Sequence, residues 1–173
     1  MKHVLLKKVD REHSDKIKTF LYDCRPGDEV TLSIQAAEGG YLAPALDILQ
    51  HFGKASEYDV KIRTVVYTAH SMAAIIALLA GPVENRVMMK TGSLKFHLGN
   101  LELEAGSDFD VTTGVIAPAI MIQFRTYKLL LDNLLEHYGL TKDANAMSQL
   151  YGTNWLQVSA EKCLELGMVS RLI

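Results

Sequence analysis

Residues 63–80 read RTVVYTAHSMAAIIALLA, and this stretch decides how the remainder of the chain is read. A β-branched run, Thr64, Val65 and Val66, has the composition of a strand. It meets the Ala/Ile/Leu-rich run Met72 to Ala80, which has no polar stripe and therefore reads as a helix buried on all sides. His70 and Ser71 stand at the joint. Ser71 occupies an N-cap or first-turn position, where unpaired N–H groups and the positive end of the helix dipole favour developing negative charge. An acyl-transfer nucleophile needs that electrostatic setting.

Working outward, the same pattern occurs once before. EVTLSIQ, residues 29–35, alternates with Val30, Leu32 and Ile34 on one face and reads as a strand. AAEGG follows as a glycine turn, and Leu42, Leu46, Leu49 and Phe52 then fall at helical spacing over 41–52. Residues 53–58 read as a polar loop, 60–67 as the next strand and 71–80 as the buried helix, stopped by Gly81 and Pro82. Two successive strand-turn-helix units predict an α/β sheet with parallel pairing. The turns at the carboxyl ends of its strands share one edge, where ligands bind, so Gly39, Gly40 and Ser71 are expected to be neighbours.

The flanking regions are less regular. A short strand is expected over 3–6, and residues 17–22 fit helix or strand equally. Short strands are expected at 86–90, 94–97 and 101–104, which puts His97 at a strand end. Apolar positions from Ile116 to Leu135 predict a long helix over 112–138, with Pro118 tolerated in its first turns. Its length and its apolar residues on more than one side predict contact with another subunit. A shorter helix is expected over 144–150, then a last one capped by Ser159 and ended by Gly167, then a strand over 168–173. No internal repeat or linker interrupts the chain, and a single domain over 1–173 is the expectation.

Composition narrows the function. The net charge of −2 offers no basic face for nucleic acid, and Lys7, Lys8, Lys16 and Lys18 read as solvated. Cys24 and Cys163 lack any metal or redox spacing. The apolar run Met72 to Ala80 is far shorter than the roughly 20 residues that span a bilayer. The N-terminal residues have no signal-peptide core, so a soluble, cytoplasmic protein without membrane contact is expected. There is no GxSxG, Walker, HExxH or GxGxxG pattern, and no companion carboxylates that would make His51, His70, His97 or His137 metal ligands. No metal or cofactor is expected. Glu102, Glu104, Asp108 and Asp110 read as a solvated face and loop.

What remains is a serine with a histidine. Ser71 could be a plain cap, and Gly39 and Gly40 a plain turn. His70, adjacent to Ser71, points to the opposite face at a strand end, which leaves His97 better placed as a general base.

Four segments, VTLSIQAAEGG, TAHSMAAIIALLA, LKFHLG and SAEKCLELGMVSRLI, together resemble the Clp protease proteolytic subunit (ClpP) family, from about residue 14 to the end. The resemblance implies a ClpP/crotonase-like α/β fold of repeated β-turn-α units with a long protruding helix. It implies Ser71 as nucleophile, His97 as base, and the amides of Gly40 and Met72 as oxyanion hole. Tyr41 and Leu42 would follow in an edge that holds an extended peptide. It further implies homo-oligomeric rings of seven stacked in pairs, peptide or unfolded-protein substrates, and an AAA+ unfoldase as partner.

The departures from the family pattern are specific. Where the family has its third triad member, an aspartate, this chain offers Tyr151, with Asn154 close by, and Leu98 and Gly99 follow the histidine in place of Gln and Pro. Loss of the aspartate can cost about 10⁴ in rate. Three readings follow: a serine endopeptidase with activity reduced by the missing aspartate, a catalytically inactive ring or scaffold subunit, and an acyl-CoA enzyme of the crotonase fold.

Overall fold

The computed structural model describes residues 1–98 and 118–173, together with two-residue strands at 109–110 and 115–116. The described chain forms two compact units, Met1–Phe96 with Leu156–Ile173, and His97–Trp155.

In the first unit, strand β1 (Lys2–Val9) leads into helix α1 (Arg11–Tyr22), β2 (Glu29–Gly40) into α2 (Leu42–Glu57), and β3 (Lys61–His70) into α3 (Met72–Leu79). The sheet is parallel: Val4, Leu32 and Thr64 are in register across β1, β2 and β3. β4 (Arg86–His97) continues it, pairing parallel with β3. The chain then passes through β5 (Phe109–Asp110), β6 (Val115–Ile116), α4 (Pro118–His137) and α5 (Ala144–Thr153). It returns as β7 (Trp155–Ser159) beside β4, followed by α6 (Ala160–Glu165) and the short β8 (Arg171–Leu172), which also pairs with β4. The α/β architecture of repeated strand-turn-helix units is the expected one.

Elements are mostly longer than local pattern suggests, because tertiary burial extends them. Residues 53–58, expected as a loop, complete α2, whose Phe52 and Ala55 are buried. Gly39 and Gly40, expected as a turn, are the last residues of β2. Residues 17–22 are helical, in α1, capped by the Asp10 carboxylate, which accepts from the His13 N–H at 3.0 Å. The two short strands expected at 86–90 and 94–97 are one strand, β4, with an irregularity: the step of two residues from Val66 to Thr68 in β3 matches a step of five from Met88 to Ser93 in β4. The long helix begins at Pro118 rather than near residue 112, since Val115–Ile116 pairs with Phe109–Asp110 as a ribbon. Pro118 therefore opens the helix, where its missing N–H costs nothing. β7 was not expected; the final strand shrinks from 168–173 to Arg171–Leu172. The strand expected over 101–104, with Glu102 and Glu104, lies outside the described residues, as does Asp108.

The buried helix is as expected. Every residue of α3 from Met72 to Leu78 is buried, as are Ile34, Val66, Met88 and Phe96 in the strands of this unit. A helix with no wet face cannot hand its final carbonyls to water. Arg86, 3% exposed, answers them: its guanidinium donates to the carbonyls of Leu78 and Gly81 at the end of α3 and, at 2.7 Å, to that of Met168. A cation at the negative end of the helix dipole is favourable, and the planar fork serves several acceptors at once. The long helix α4 in the second unit is half-wet: Tyr127, Leu131, Leu134 and Leu135 are buried, while Ile122 and Leu129 are 63% and 61% exposed.

Removing the guanidinium would leave buried carbonyls without donors, each worth about 1–3 kcal/mol. Arg86→Ala is expected to lower the stability measured by urea unfolding by about 3–5 kcal/mol, and Arg86→Lys to recover only part of it. A loss under 1 kcal/mol for Arg86→Ala would show that the carbonyls find water instead.

Candidate functional site

β3 must turn sharply to bury α3 directly behind it, and Ser71 makes the turn. Its backbone sits at φ 53°, ψ −123°, a region that side chains other than glycine avoid and that costs about 1–3 kcal/mol. The expected capping bond from its hydroxyl is absent: Ser71 stands at the N-cap, but its side chain makes no cap hydrogen bond. Its backbone instead ties the elements together. The Ser71 N–H donates to the Lys95 carbonyl of β4 at 2.7 Å, and the Ser71 carbonyl accepts from Ala74 and Ile75 in α3. Met72 and Ala73, the first two helical residues, have N–H groups with no intrahelical acceptor. Ser71 is thus a serine on a strained strand-to-helix turn at a helix N-terminus.

Room for that serine comes from Gly39. A Cβ on Gly39 would lie 2.4 Å from the Ser71 Cβ, 2.8 Å from its Oγ and 3.3 Å from the His70 carbonyl oxygen. No side chain fits there. Gly40 is tight against β1: its Cβ would lie 1.9 Å from the Val9 carbonyl oxygen, which also accepts from the Tyr41 N–H at 3.1 Å. The paired glycines thus have two separate reasons, one at Ser71 and one at Val9.

His70 precedes the turn. Ala37, Ala69 and Leu94 are in register across β2, β3 and β4 and fully buried. His70, one residue on, is half-buried on the opposite face, paired in register with Lys95. Burial, and then the Lys95 ammonium, push its imidazole below the usual range against a weaker opposing pull from Glu38. It is held neutral, consistent with a residue facing away from the core side of the turn. Cys163 is inert, its thiol pushed up to about 12 by burial.

His97, the last residue of β4, belongs to the second unit. Its imidazole lies against the Trp155 ring, centroids 4.6 Å apart, and near that of Tyr127 at 5.6 Å; the Tyr127 hydroxyl donates to the His97 carbonyl at 2.7 Å. Tyr151 lies on α5, 66% exposed. Asn154 ends α5 in the left-handed conformation at φ 62° and immediately precedes Trp155.

Sequence reasoning missed two things here. Ser71 has alanine two residues to either side: Ala69 and Ala73 are both 0% exposed, so the turn is flanked by small buried residues in the pattern A-x-S-x-A. Trp155 was missed with β7, although the alternation in WLQVS was available: Leu156 and Val158 are buried, and Trp155, Gln157 and Ser159 are exposed. Among the described residues no cluster of His, Cys, Asp or Glu could hold a metal, and no helix is long and apolar enough to cross a membrane.

No protein-family model matches the chain, and none of the curated proteins does. Among solved structures it is similar to a ClpP1 point mutant from Listeria monocytogenes, with a TM-score of 0.66 at 15% identity, over 99% of this chain and 91% of that one. The chain has the ClpP-like fold.

Two outcomes follow from the strained turn. Gly39→Ala is expected to destabilise by about 1–3 kcal/mol through overpacking, whereas Ser71→Gly, which relieves the positive φ, is expected to be at least as stable as the wild type in the same unfolding assay. A third concerns pH. The folded state holds His70 with a lowered pKa, so the unfolded chain binds a proton first; stability present above about pH 6.5 is lost as pH falls below it. His51, lowered mainly by burial, acts in the same direction. The midpoint of thermal unfolding should fall between pH 7 and 5.5, less steeply in His70→Gln; an equal slope in both proteins would remove His70 as a cause.

Proposed function

We propose, from the ClpP-like fold as premise, that this chain is a serine peptidase acting on peptides or unfolded polypeptides within a ring of identical subunits, with Ser71 as nucleophile and His97 as general base. The observation that carries the reading is the backbone of Ser71: a serine held at φ 53° at the front of a helix buried from Met72 to Leu78, with its hydroxyl unused as a cap. Strain of this kind persists only where the surroundings impose it, and it clusters at active sites. A plain N-cap serine adopts extended backbone at no such cost.

In this reading the Ser71 Oγ attacks the scissile carbonyl carbon and its proton passes to the His97 imidazole. The carbonyl oxygen becomes an oxyanion stabilised by the N–H groups of Met72 and Gly40. The positive end of α3 adds to that stabilisation. Collapse breaks the C–N bond, and the imidazolium returns the proton to the leaving amine. Water, deprotonated by the same imidazole, then releases the acyl group from Ser71. The helix behind the serine is held rigid by its burial, so the donors need not reorganise as charge develops. The exposed Ile122 and Leu129 on α4 suit contact with another subunit of the ring, and an AAA+ unfoldase is the expected source of unfolded substrate.

A second reading, an inactive or weakened ring subunit, is favoured by one observation: neither Tyr151 nor Asn154 offers a carboxylate to orient His97. The acyl-CoA reading has no comparable support.

A fluorophosphonate probe separates the two. On the peptidase reading it labels Ser71 of the assembled wild type, Ser71→Ala is not labelled, and His97→Ala labels at least about 10²-fold more slowly. Where the missing carboxylate limits the rate, Asn154→Asp or Tyr151→Asp raises it. No labelling of assembled wild type, with assembly by light scattering unchanged in Ser71→Ala, would leave the scaffold reading.

A further inference from the structure

The described surroundings of the His97 imidazole are aromatic. Three residues from separate parts of the second unit meet at it: Tyr127 from the middle of α4, Trp155 after the end of α5, and His97 itself at the end of β4. Tyr127 is 8% exposed, and its hydroxyl, a titratable group, is committed to the His97 backbone carbonyl at 2.7 Å. That bond fixes where the strand end lies. The Trp155 ring then sits against the imidazole at a centroid separation of 4.6 Å and a tilt of 39°. The neighbouring charge on α4, the Lys128 ammonium, is engaged by Asp132 at 2.9 Å, four residues along its own helix.

An aromatic ring within about 6 Å of a cation attracts it through the ring quadrupole, and Trp does so best. An imidazole has little use for such a neighbour while neutral, but gains from it when protonated. On the reading of Ser71 and His97 given above, His97 is protonated twice in each cycle, after taking the Ser71 proton and again after taking a proton from the hydrolytic water. That is when an aspartate would normally stabilise it.

We propose that Trp155 is a positioning residue for His97: its ring packs the imidazole into one orientation and stabilises the imidazolium. The pair is a neutral one, so it supports the cation without the full Coulombic pull of a carboxylate. The arrangement therefore suits a slow or restricted peptidase more than a fast one. This inference rests on the peptidase reading for its role, but its physical content, a cation held against an indole, stands on the geometry of His97 and Trp155 alone.

The test uses a property of the whole chain: Trp155 is the only tryptophan among the 173 residues, so intrinsic indole emission reports on this site. In the wild-type protein, emission titrated from pH 5 to 9 is expected to show a transition as the adjacent imidazolium loses its proton, and His97→Gln is expected to abolish it. A flat titration overturns the proposal. Proton NMR then reads the His97 midpoint directly. Trp155→Leu is expected to lower it by about half a pH unit, the equivalent of a partly exposed cation–π contact, and Trp155→Phe, which keeps a ring, by less. An unchanged midpoint in Trp155→Leu overturns the proposal as well. Trp155 is 43% exposed, so these variants should fold; if Trp155→Leu does not, the wild-type and His97→Gln emission titrations decide alone.

The two claims fail separately. A shifted midpoint with no fluorophosphonate labelling at Ser71 ends the peptidase reading and leaves Trp155 as a holder of the imidazolium. Labelling at Ser71 with an unshifted midpoint, and with the pH profile of labelling unchanged in Trp155→Leu, keeps the peptidase and ends the role of Trp155.

Discussion

The absence of space between Gly39 and Ser71 is the constraint on which the first unit depends. α3 is buried from Met72 to Leu78, so it must start immediately behind the strand that feeds it, with no loop to ease the reversal. Only a residue with positive φ turns the chain that abruptly, and Ser71 is that residue. The neighbouring strand must then come close without a Cβ, which is why β2 ends in glycine. Strain at one serine, a missing side chain opposite it and a wholly apolar helix behind it are three parts of a single packing solution.

The other end of the same helix carries a complementary solution. Burying a helix saves apolar area at about 25 cal/mol per Å², but it strands polar carbonyls at the far terminus. One buried guanidinium from the start of β4 gathers carbonyls from the end of α3, the turn after it and the chain near the C-terminus. A lone charge in such a place would be prohibitive; with several short hydrogen bonds and a helix dipole in its favour it becomes a fastener. α3 is thus held at its front by geometry and at its back by electrostatics, and a rigid helix is what a preorganised N-terminus requires.

Histidine 70 and histidine 97 illustrate how neighbours assign roles to one residue type. Burial and the Lys95 ammonium keep the first neutral, an arrangement that holds a side chain still and makes it a poor acceptor of protons. The second meets two aromatic rings, one of which also anchors its backbone through a phenolic hydroxyl. Aromatic faces tolerate the neutral ring and favour the cation.

Much of this fold was written in local pattern. Alternation over 29–35, the β-branched run before His70 and the nine apolar residues after Ser71 determine strand, strand and buried helix, because each period matches only one way of hiding apolar surface. The same pattern singled out Ser71 and His97. Tertiary structure alone decided how far the elements run, since α2 continues through a polar-looking segment and β4 joins two short runs across an irregularity, both stabilised by partners distant in sequence. It alone decided that Ser71 is a strained turn whose hydroxyl makes no capping bond, that Gly39 answers to Ser71 while Gly40 answers to Val9, and that Trp155 lies on His97. Those are facts about which surfaces meet, and a single sequence records the chemistry of each surface without recording which other surface it meets.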